Sequence, residues 1–434
     1  MKKFLLFSLA ILCYNNLFCQ TLAHERCAAF EKGLNINNWL EEYWNPNWPT
    51  ETGYSKSDFE DMKTAGISSI RLPIGFSFIS DTLPPYDVDT NHVLFQRIDS
   101  VVKWTQELNL NLIIDNHHGW FLTNENWRSH KDRFAHLWGI VAKRYKNLDP
   151  SHYFFELMNE PPIAFNDLDS LNLLFNTAID SIRKYTTEHT IIVSPNLGSW
   201  GMAFNVYQPL ADTNLIYTFH CYDPLDFTHQ GFTWHDPYYP TGTAFPTTGD
   251  PFYENFLYES WNRIADWKAT YNKPLFLGEF GVGSYADQDS RCRWIEFIGD
   301  KIDSLHLSWF YWDWAGGFPM FQSNSVAPDS IYDCFKYSLH LYSDTVSGIN
   351  ESISSLFNEV KIYPNPASTT NALSIEVTNT TCFNLIIYDV RGRIIFENNI
   401  QGNTTRLKPN FERGIYVAEI TSGSRKIFKK MVIK

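Results

Sequence analysis

The sequence predicts an α/β protein, a (β/α)8 barrel of the TIM type followed by a small C-terminal β-sandwich. Three observations predict it. Between residues 33 and 314, eight short apolar runs alternate with longer amphipathic stretches, the order of a closed parallel barrel. Chemically capable side chains gather at the ends of those runs, where barrels of this kind carry their sites. After about residue 345 the pattern changes to short alternating runs separated by Gly, Asn and Pro.

The predicted strands, in order, are GLNI (33–36), SIRLPI (69–74), LNLIIDNHH (110–118), YFFELMNE (153–160), TIIVSPN (190–196), LIYTFHCYDP (215–224), PLFLGEFG (274–281) and LSWFYWDW (307–314). Helical patterns lie between most of them. In HVLFQRIDSVVKWTQELN (92–109), Val93, Leu94, Ile98, Val101 and Val102 recur at helical spacing, and a further helix is predicted over 128–146. An open doubly wound sheet would need a glycine-rich phosphate loop after strand 1, and GLNINNWLEEYW has none. After the polar stretch SDTVSGINESISS come LSIEV, NLIIYDV, RIIFEN, GIYVAEI and KIFKKMVI, which read as sandwich strands. The predicted division is a signal peptide over 1–19, a catalytic barrel over 20–345, a linker over 346–359 and a sandwich over 360–434.

With 434 residues, 44% apolar and 16% aromatic, the chain can bury one large core and a smaller one. Its 15 Trp, 23 Tyr and 33 Phe exceed the usual needs of packing, and flat aromatic faces in a groove are a means of gripping sugar rings. The net charge of −13 disfavours nucleic acid, which requires Lys and Arg to replace its counterions. The charge is uneven, because residues 361–434 carry 11 Lys and Arg against 5 Asp and Glu. That asymmetry also points to two units.

MKKFLLFSLAILCYNNLFCQ has the layout of a secretory signal, with cleavage expected near Cys19–Gln20. A lipoprotein anchor would want a small residue where Phe18 stands. No later run is long and apolar enough for a transmembrane helix. The cysteines beyond the signal are Cys27, Cys221, Cys292, Cys334 and Cys382, an odd number without C-x-x-C spacing. That argues against zinc, and it allows one or two disulfides whose pairing the spacing does not reveal.

At the predicted rim, Glu160 and Glu279 close strands 4 and 7, which face one another across a barrel mouth. Glycoside hydrolysis needs such a pair, one carboxyl to protonate the leaving oxygen and one to attack the anomeric carbon. Arg71 and Tyr222 are expected to support the Glu279 carboxylate, and Asn159 to bind the hydroxyl beside the anomeric carbon. Asn159 and Glu160 are adjacent, so both reach the site only where the strand end is irregular. Glu156, in mid-strand, is expected to be a satisfied buried carboxylate. His117 and His118 could bind metal, but successive strand residues face opposite ways, so no metal site is expected. Asp313 is expected to be structural, and His130 and His136 to be surface or packing residues. Trp120, Trp200 and Trp234 are candidates for outer subsites.

The motifs NEP (159–161), GEFG (278–281), RLPI (71–74), DNHH (115–118), HCY (220–222) and YWDW (311–314) occur in the order seen in glycoside hydrolase family five. Residues 30–343 resemble this cellulase family of retaining barrel glycosidases. The resemblance implies Glu160 as acid/base and Glu279 as nucleophile, with no cofactor. It implies His117 and His220 lining the −1 subsite and Trp312 beneath its sugar. Trp39, after strand 1, resembles a sugar-contacting family position. The C-terminal segment, through KIYPNPA (361–367), YDVRGR (388–393), GIYVAEI (414–420) and KIFKKMVIK (426–434), resembles the sorting domain of type IX secretion systems. It implies the secretion machinery as partner and a secreted or outer-surface location.

Together these readings predict an endo-β-1,4-glucanase acting on β-glucan. β-Mannanase and β-1,3-glucanase are alternatives on the same barrel, and a non-catalytic polysaccharide-binding protein is the alternative of another class.

Overall fold

The computed structural model describes residues 21–341, apart from 43, 46–47, 50–52, 119–121, 123–124, 162–167, 196–199, 247–250 and 323–326. It also describes 360–433, apart from 364–372, 378–381, 390–392, 409–410 and 423–424. The expected signal segment, the linker, Trp120 and most of KIYPNPA lie outside the described residues. The chain divides into two compact units, 1–345 and 346–434.

In the first unit eight parallel strands close in sequence order: β1 (Lys32–Asn35), β2 (Ser69–Ile74), β3 (Asn111–Asn116), β4 (Tyr153–Glu156), β5 (Ile191–Val193), β6 (Leu215–Cys221), β7 (Leu275–Phe280) and β8 (Trp309–Tyr311). Closure comes from β8 pairing with β1, Leu34 opposite Tyr311. Each predicted run holds its strand, but most strands stop earlier than the apolar run does. β4 ends at Glu156, where the ladder gives way to isolated bonds from Leu157 N to Ile192 O and from Asn159 N to Asn116 O. The prolines that follow have no N–H with which to extend it.

The helix Val93–Leu108 buries Leu94, Phe95, Ile98, Val101, Val102 and Thr105, one stripe at helical spacing. The His92 side chain caps it by accepting from Leu94 N, and Asn109 ends it in the left-handed conformation (φ 51°). A second amphipathic helix, Trp127–Tyr145, follows β3. The helices Gln288–Leu305 and Asp333–Ser338 are joined by the disulfide Cys292–Cys334. Cys27 and Cys221 are free and buried.

The barrel interior changes character from bottom to top. At the bottom the Phe30 ring meets Phe154, Phe276 and Phe310 with centroids 4.7, 5.2 and 5.6 Å away, and Ile113, Ile192 and Ile216 complete the plug. Gly33 is required here, because a Cβ on it would fall 2.2 Å from the Phe310 ring. Two residues further along the strands the inward positions become Asn35, Arg71, Asp115, Glu156 and Thr218, all fully buried. A polar layer thus lies directly beneath the rim.

In the second unit, β9 (Val360–Tyr363), β10 (Leu373–Val377) and β13 (Thr404–Leu407) form one antiparallel sheet in the order β13-β10-β9. β11 (Cys382–Asp389), β12 (Ile394–Gln401), β14 (Gly414–Ser422) and β15 (Arg425–Ile433) form the other, in the order β12-β11-β14-β15. Leu373, Ile375, Leu385, Ile387, Ala418, Ile420 and Met431 form a shared core, as a sandwich requires. β9 and β13 were not foreseen. Both are four residues long, and TTRL carries no apolar alternation to announce it.

Candidate active site

The rim of the barrel holds an open cleft of about 1240 Å3, lined by Asn159, Glu160, His220, Tyr222, Glu279 and Trp312 among others. Each is brought there by a different strand end. Glu279 follows Gly278, whose parity already faces the interior, so a regular strand would turn Glu279 outward. A register shift between Leu277 and Phe280 against β8 swings it into the cleft, and another between Phe219 and His220 sets His220 opposite it. Asn159 and Glu160 reach the cleft differently. They lie beyond the end of β4, in irregular backbone, which meets the sequence requirement for irregularity without a bulge in the strand itself.

Arg71 lies under the floor, fully buried, and all five of its N–H groups are used. Nε and Nη2 grip Glu156 at 2.8 Å each, and Nη1 donates to Glu279 Oε1 (2.6 Å) and to Asn35 Oδ1 (2.9 Å). The second Nη2 hydrogen goes to Asn159 Oδ1 (2.7 Å). Arg71 therefore reaches the cleft through Glu279 and Asn159, which corrects its placement among the substrate contacts. Glu156 is the satisfied buried carboxylate that mid-strand placement predicts.

The two rim carboxyls differ in their surroundings. Glu279 is bonded by Arg71 on one oxygen and by the Tyr222 hydroxyl on the other (2.9 Å). Burial leaves its pKa raised, against the downward pull of the Arg71 charge and the Tyr222 hydrogen bond. Glu160, with 42% of its side chain exposed to the cleft, meets among the described residues the Nδ1 of His220 at 2.8 Å. Desolvation raises it to about 7, opposed by the more distant charge of Arg71. Burial drives His220 down to about 4, so that imidazole is neutral at ordinary pH. One oxygen of Glu160, one of Glu279 and a ring nitrogen of His220 lie within 4.8 Å of one another.

That trio is the one group among the described residues with metal-ligand geometry, and its donors are already engaged. Glu279 spends both oxygens on Arg71 and Tyr222, Glu160 faces His220, and the Arg71 guanidinium would repel a cation at the Glu279 end.

Both histidines of DNHH line the cleft, in contrast to the alternation expected of strand residues, because β3 stops at Asn116 before either of them. Their rings meet at 73°, and burial drives His118 down to about 3. His117 stacks on Trp312, centroids 5.4 Å apart and planes within 10°. Trp39 is corrected: its ring is 5% exposed, packs under Gly53 and against Tyr54, and borders only a satellite cavity of about 230 Å3. The turn at Asn38 (φ 60°) and the bonds of the Asn38 and Trp39 amides to Glu41 roll the side chain inward. Its neighbours Asn37 and Asn38 line the cleft instead.

Trp200 and Trp234 are on the cleft wall, Trp200 with its indole N–H bonded to the Asp223 carboxylate. Asp313 is fully buried and accepts from Asn37 Nδ2 (2.6 Å) and Gly316 N (3.1 Å), a structural role. Sequence reasoning missed Asn35 and Asp115. Asp115 shares parity with His117, but Asn35 comes beside Arg71 only through the pairing of β1 with β2.

A closed parallel barrel whose rim sets two carboxyls within 4.8 Å, one gripped by Arg and Tyr and one protonated near neutrality, defines a glycoside hydrolase. The chain belongs to the cellulase family, glycosyl hydrolase family 5, whose model matches residues 27–317. The resemblance read from its motifs is thereby borne out. Endoglucanase 3 of Fibrobacter succinogenes is 29% identical over 343 residues, covering 68% of this chain and 51% of its own. Endoglucanase H of Acetivibrio thermocellus is 30% identical over 288 residues, covering 65% of this chain and 29% of its own. The chain thus spans about half of the first relative and under a third of the second. The structure of endoglucanase Cel5A from Thermotoga maritima superposes with a TM-score of 0.63 at 30% identity, over 73% of this chain and 99% of that one.

Residues 361–434 match the secretion system C-terminal sorting domain, which marks a secreted or surface-attached protein. Among the described residues no helix is long and apolar enough to cross a membrane.

Proposed function

We propose that the chain is a secreted retaining endo-β-1,4-glucanase, exported through a type IX system by its sandwich domain, with residues 20–345 as the catalytic unit. The observation that carries the reading is the asymmetry of the carboxyl pair, Glu279 pinned by Arg71 and Tyr222 beside Glu160 near 7. In the first step Glu279 attacks the anomeric carbon while Glu160 gives its proton to the departing glycosidic oxygen. In the second, Glu160, now ionised, takes a proton from water, and that water displaces Glu279 from the sugar. A separation within 4.8 Å supports this route, since a water-first inverting mechanism needs about 6.5 to 9.5 Å. Asn159 engages the 2-hydroxyl, Trp312 with the His117 ring stacked on it forms the floor under the reacting sugar, and His220 orients Glu160.

Mannan is the second reading, because one of the similar solved structures is of Thermotoga maritima Cel5A in complex with mannotriose and another in complex with cellobiose. Reducing-end release by the full chain on carboxymethylcellulose, mixed-linkage β-glucan, mannan and laminarin tests both, each beside Glu279→Gln. The β-1,4-glucan substrates are expected to turn over and the variant to be silent. Activity that survives in Glu279→Gln would remove Glu279 from the mechanism. Binding without turnover by the unaltered chain would instead make the barrel a carbohydrate-binding protein.

A further inference from the structure

Beneath the cleft, four side chains form a closed ring. Arg71 Nη2 donates to Asn159 Oδ1 at 2.7 Å, and Asn159 Nδ2 lies 3.4 Å from His117 Nε2. His117 Nδ1 is 2.7 Å from Asp115 Oδ2, and that oxygen closes the ring as an ion pair with Arg71 Nη2 at 3.1 Å. Asp115 is fully buried, as is Arg71, and its other oxygen has no hydrogen-bond partner among the described residues.

The direction of every bond in this ring follows from one fact: a guanidinium only donates. Asn159 must therefore turn its carbonyl oxygen to Arg71, which leaves its NH2 facing His117. An amide NH2 also only donates, so His117 Nε2 must be the bare, accepting nitrogen. A neutral imidazole with Nε2 bare carries its proton on Nδ1, and that proton points at Asp115. Burial keeps His117 well below its ordinary pKa, consistent with the neutral ring.

We infer that Asp115 is a positioning residue for the reaction, holding His117 in the Nδ1–H tautomer so that His117 in turn fixes the amide of Asn159 toward the sugar 2-hydroxyl. The inference rests on the glycosidase reading and extends it to a residue that does not line the cleft. With Oδ1 committed to Arg71, the amide nitrogen is the end of Asn159 turned toward substrate. A His117 carrying its proton on Nε2 would set N–H against N–H and push the amide out of place.

Asp115→Ala tests this by removing the oxygen that faces His117 Nδ1. Nothing then holds the imidazole proton on Nδ1 in preference to Nε2. Wild type and variant are compared on an aryl β-cellobioside and on the same glycoside lacking the 2-hydroxyl of the reacting sugar. On the parent substrate, kcat is expected to fall roughly ten- to a hundredfold with KM little changed. On the 2-deoxy substrate the two proteins should differ by less than about threefold, because the contact being positioned is absent. An equal loss on both substrates would show Asp115 to be merely structural.

The tautomer is read separately in the unaltered protein, needing no Asp115 variant, from nitrogen-15 spectra of labelled histidine with His117 assigned by its loss in His117→Gln. A proton on Nδ1 is expected, and one on Nε2 overturns the ring. If the wild type cleaved neither glycoside, the glycosidase reading would fail instead, and the tautomer measurement would still decide the ring.

Discussion

His220 holds its Nδ1 2.8 Å from Glu160 Oε1 yet brings no charge to it, since burial lowers that imidazole to about 4. A cationic histidine at this distance would ionise Glu160 and deprive it of the proton that the proposed acid role requires. A neutral one orients the carboxyl and leaves its proton in place to about pH 7.

The alkaline limb of kcat/KM is accordingly expected to have its midpoint near pH 7, activity falling as Glu160 loses its proton. In Glu160→Gln that limb should vanish, and kcat on cellulosic oligosaccharides should drop about 10²- to 10⁴-fold. On aryl glycosides with acidic phenol leaving groups, which depart unprotonated, the loss in the first step should be much smaller. A limb that persists unchanged in the variant would assign it to another group.

Arg71 is, among the described residues, the cation paired with two carboxylates of no exposure, Asp115 and Glu156. Replacing it with Met strands both, and the expected cost is about 3 to 5 kcal/mol of folding stability, read from the urea midpoint. Arg71→Lys restores the charge but supplies three donors for five acceptors, so it should recover part of the stability and little of the activity.

Trp200 presents its indole to the cleft with the N–H fixed by Asp223. Trp200→Ala is expected to raise KM for long oligosaccharides roughly two- to tenfold and to leave kcat on a small aryl glycoside unchanged. Equal effects on long and short substrates would place Trp200 outside any subsite.

Glu41 is 2% exposed, and burial raises it to about 8 against the pull of the Asn38 and Trp39 amides. Glu160 is raised to about 7 in the same direction. The folded chain keeps protons that the unfolded chain has released, so stability falls as pH rises through these values. The histidines lowered by burial act with the opposite sign, but only below their ordinary 6.5. Between pH 6.5 and 8.5 the carboxyl effect stands alone, and Tm of the full chain should drop by a few degrees. Glu41→Gln should shrink that drop, and a Tm rising across the window would contradict the assignment.

The barrel was legible because its eight strands are nearly continuous apolar runs and its rim residues end those runs. What escaped the sequence was local. Periodicity marked β3 and β4 as apolar to 118 and 160, whereas hydrogen bonding ends them at Asn116 and Glu156. That difference explains why both His117 and His118 face the cleft. Trp39 looked like a sugar platform because it is aromatic and follows β1, and nothing in its own identity shows that a left-handed Asn38 turns it away. Asp115 and Asn35 were silent for another reason, since a buried polar residue announces its role only once its partners are known.

The bridge between Cys292 and Cys334 ties the last helix of the barrel to the one that ends at Leu305, and both thiols precede the sorting domain in the chain. Such a bond forms in an oxidising space, so in a reducing one this helix is held by its non-covalent contacts, among them Arg291 over the Tyr332 and Phe335 rings. Passage out of the cell thus does more than relocate the protein. It matures the fold, locking the barrel's final helix with a bond that lies wholly within the first unit.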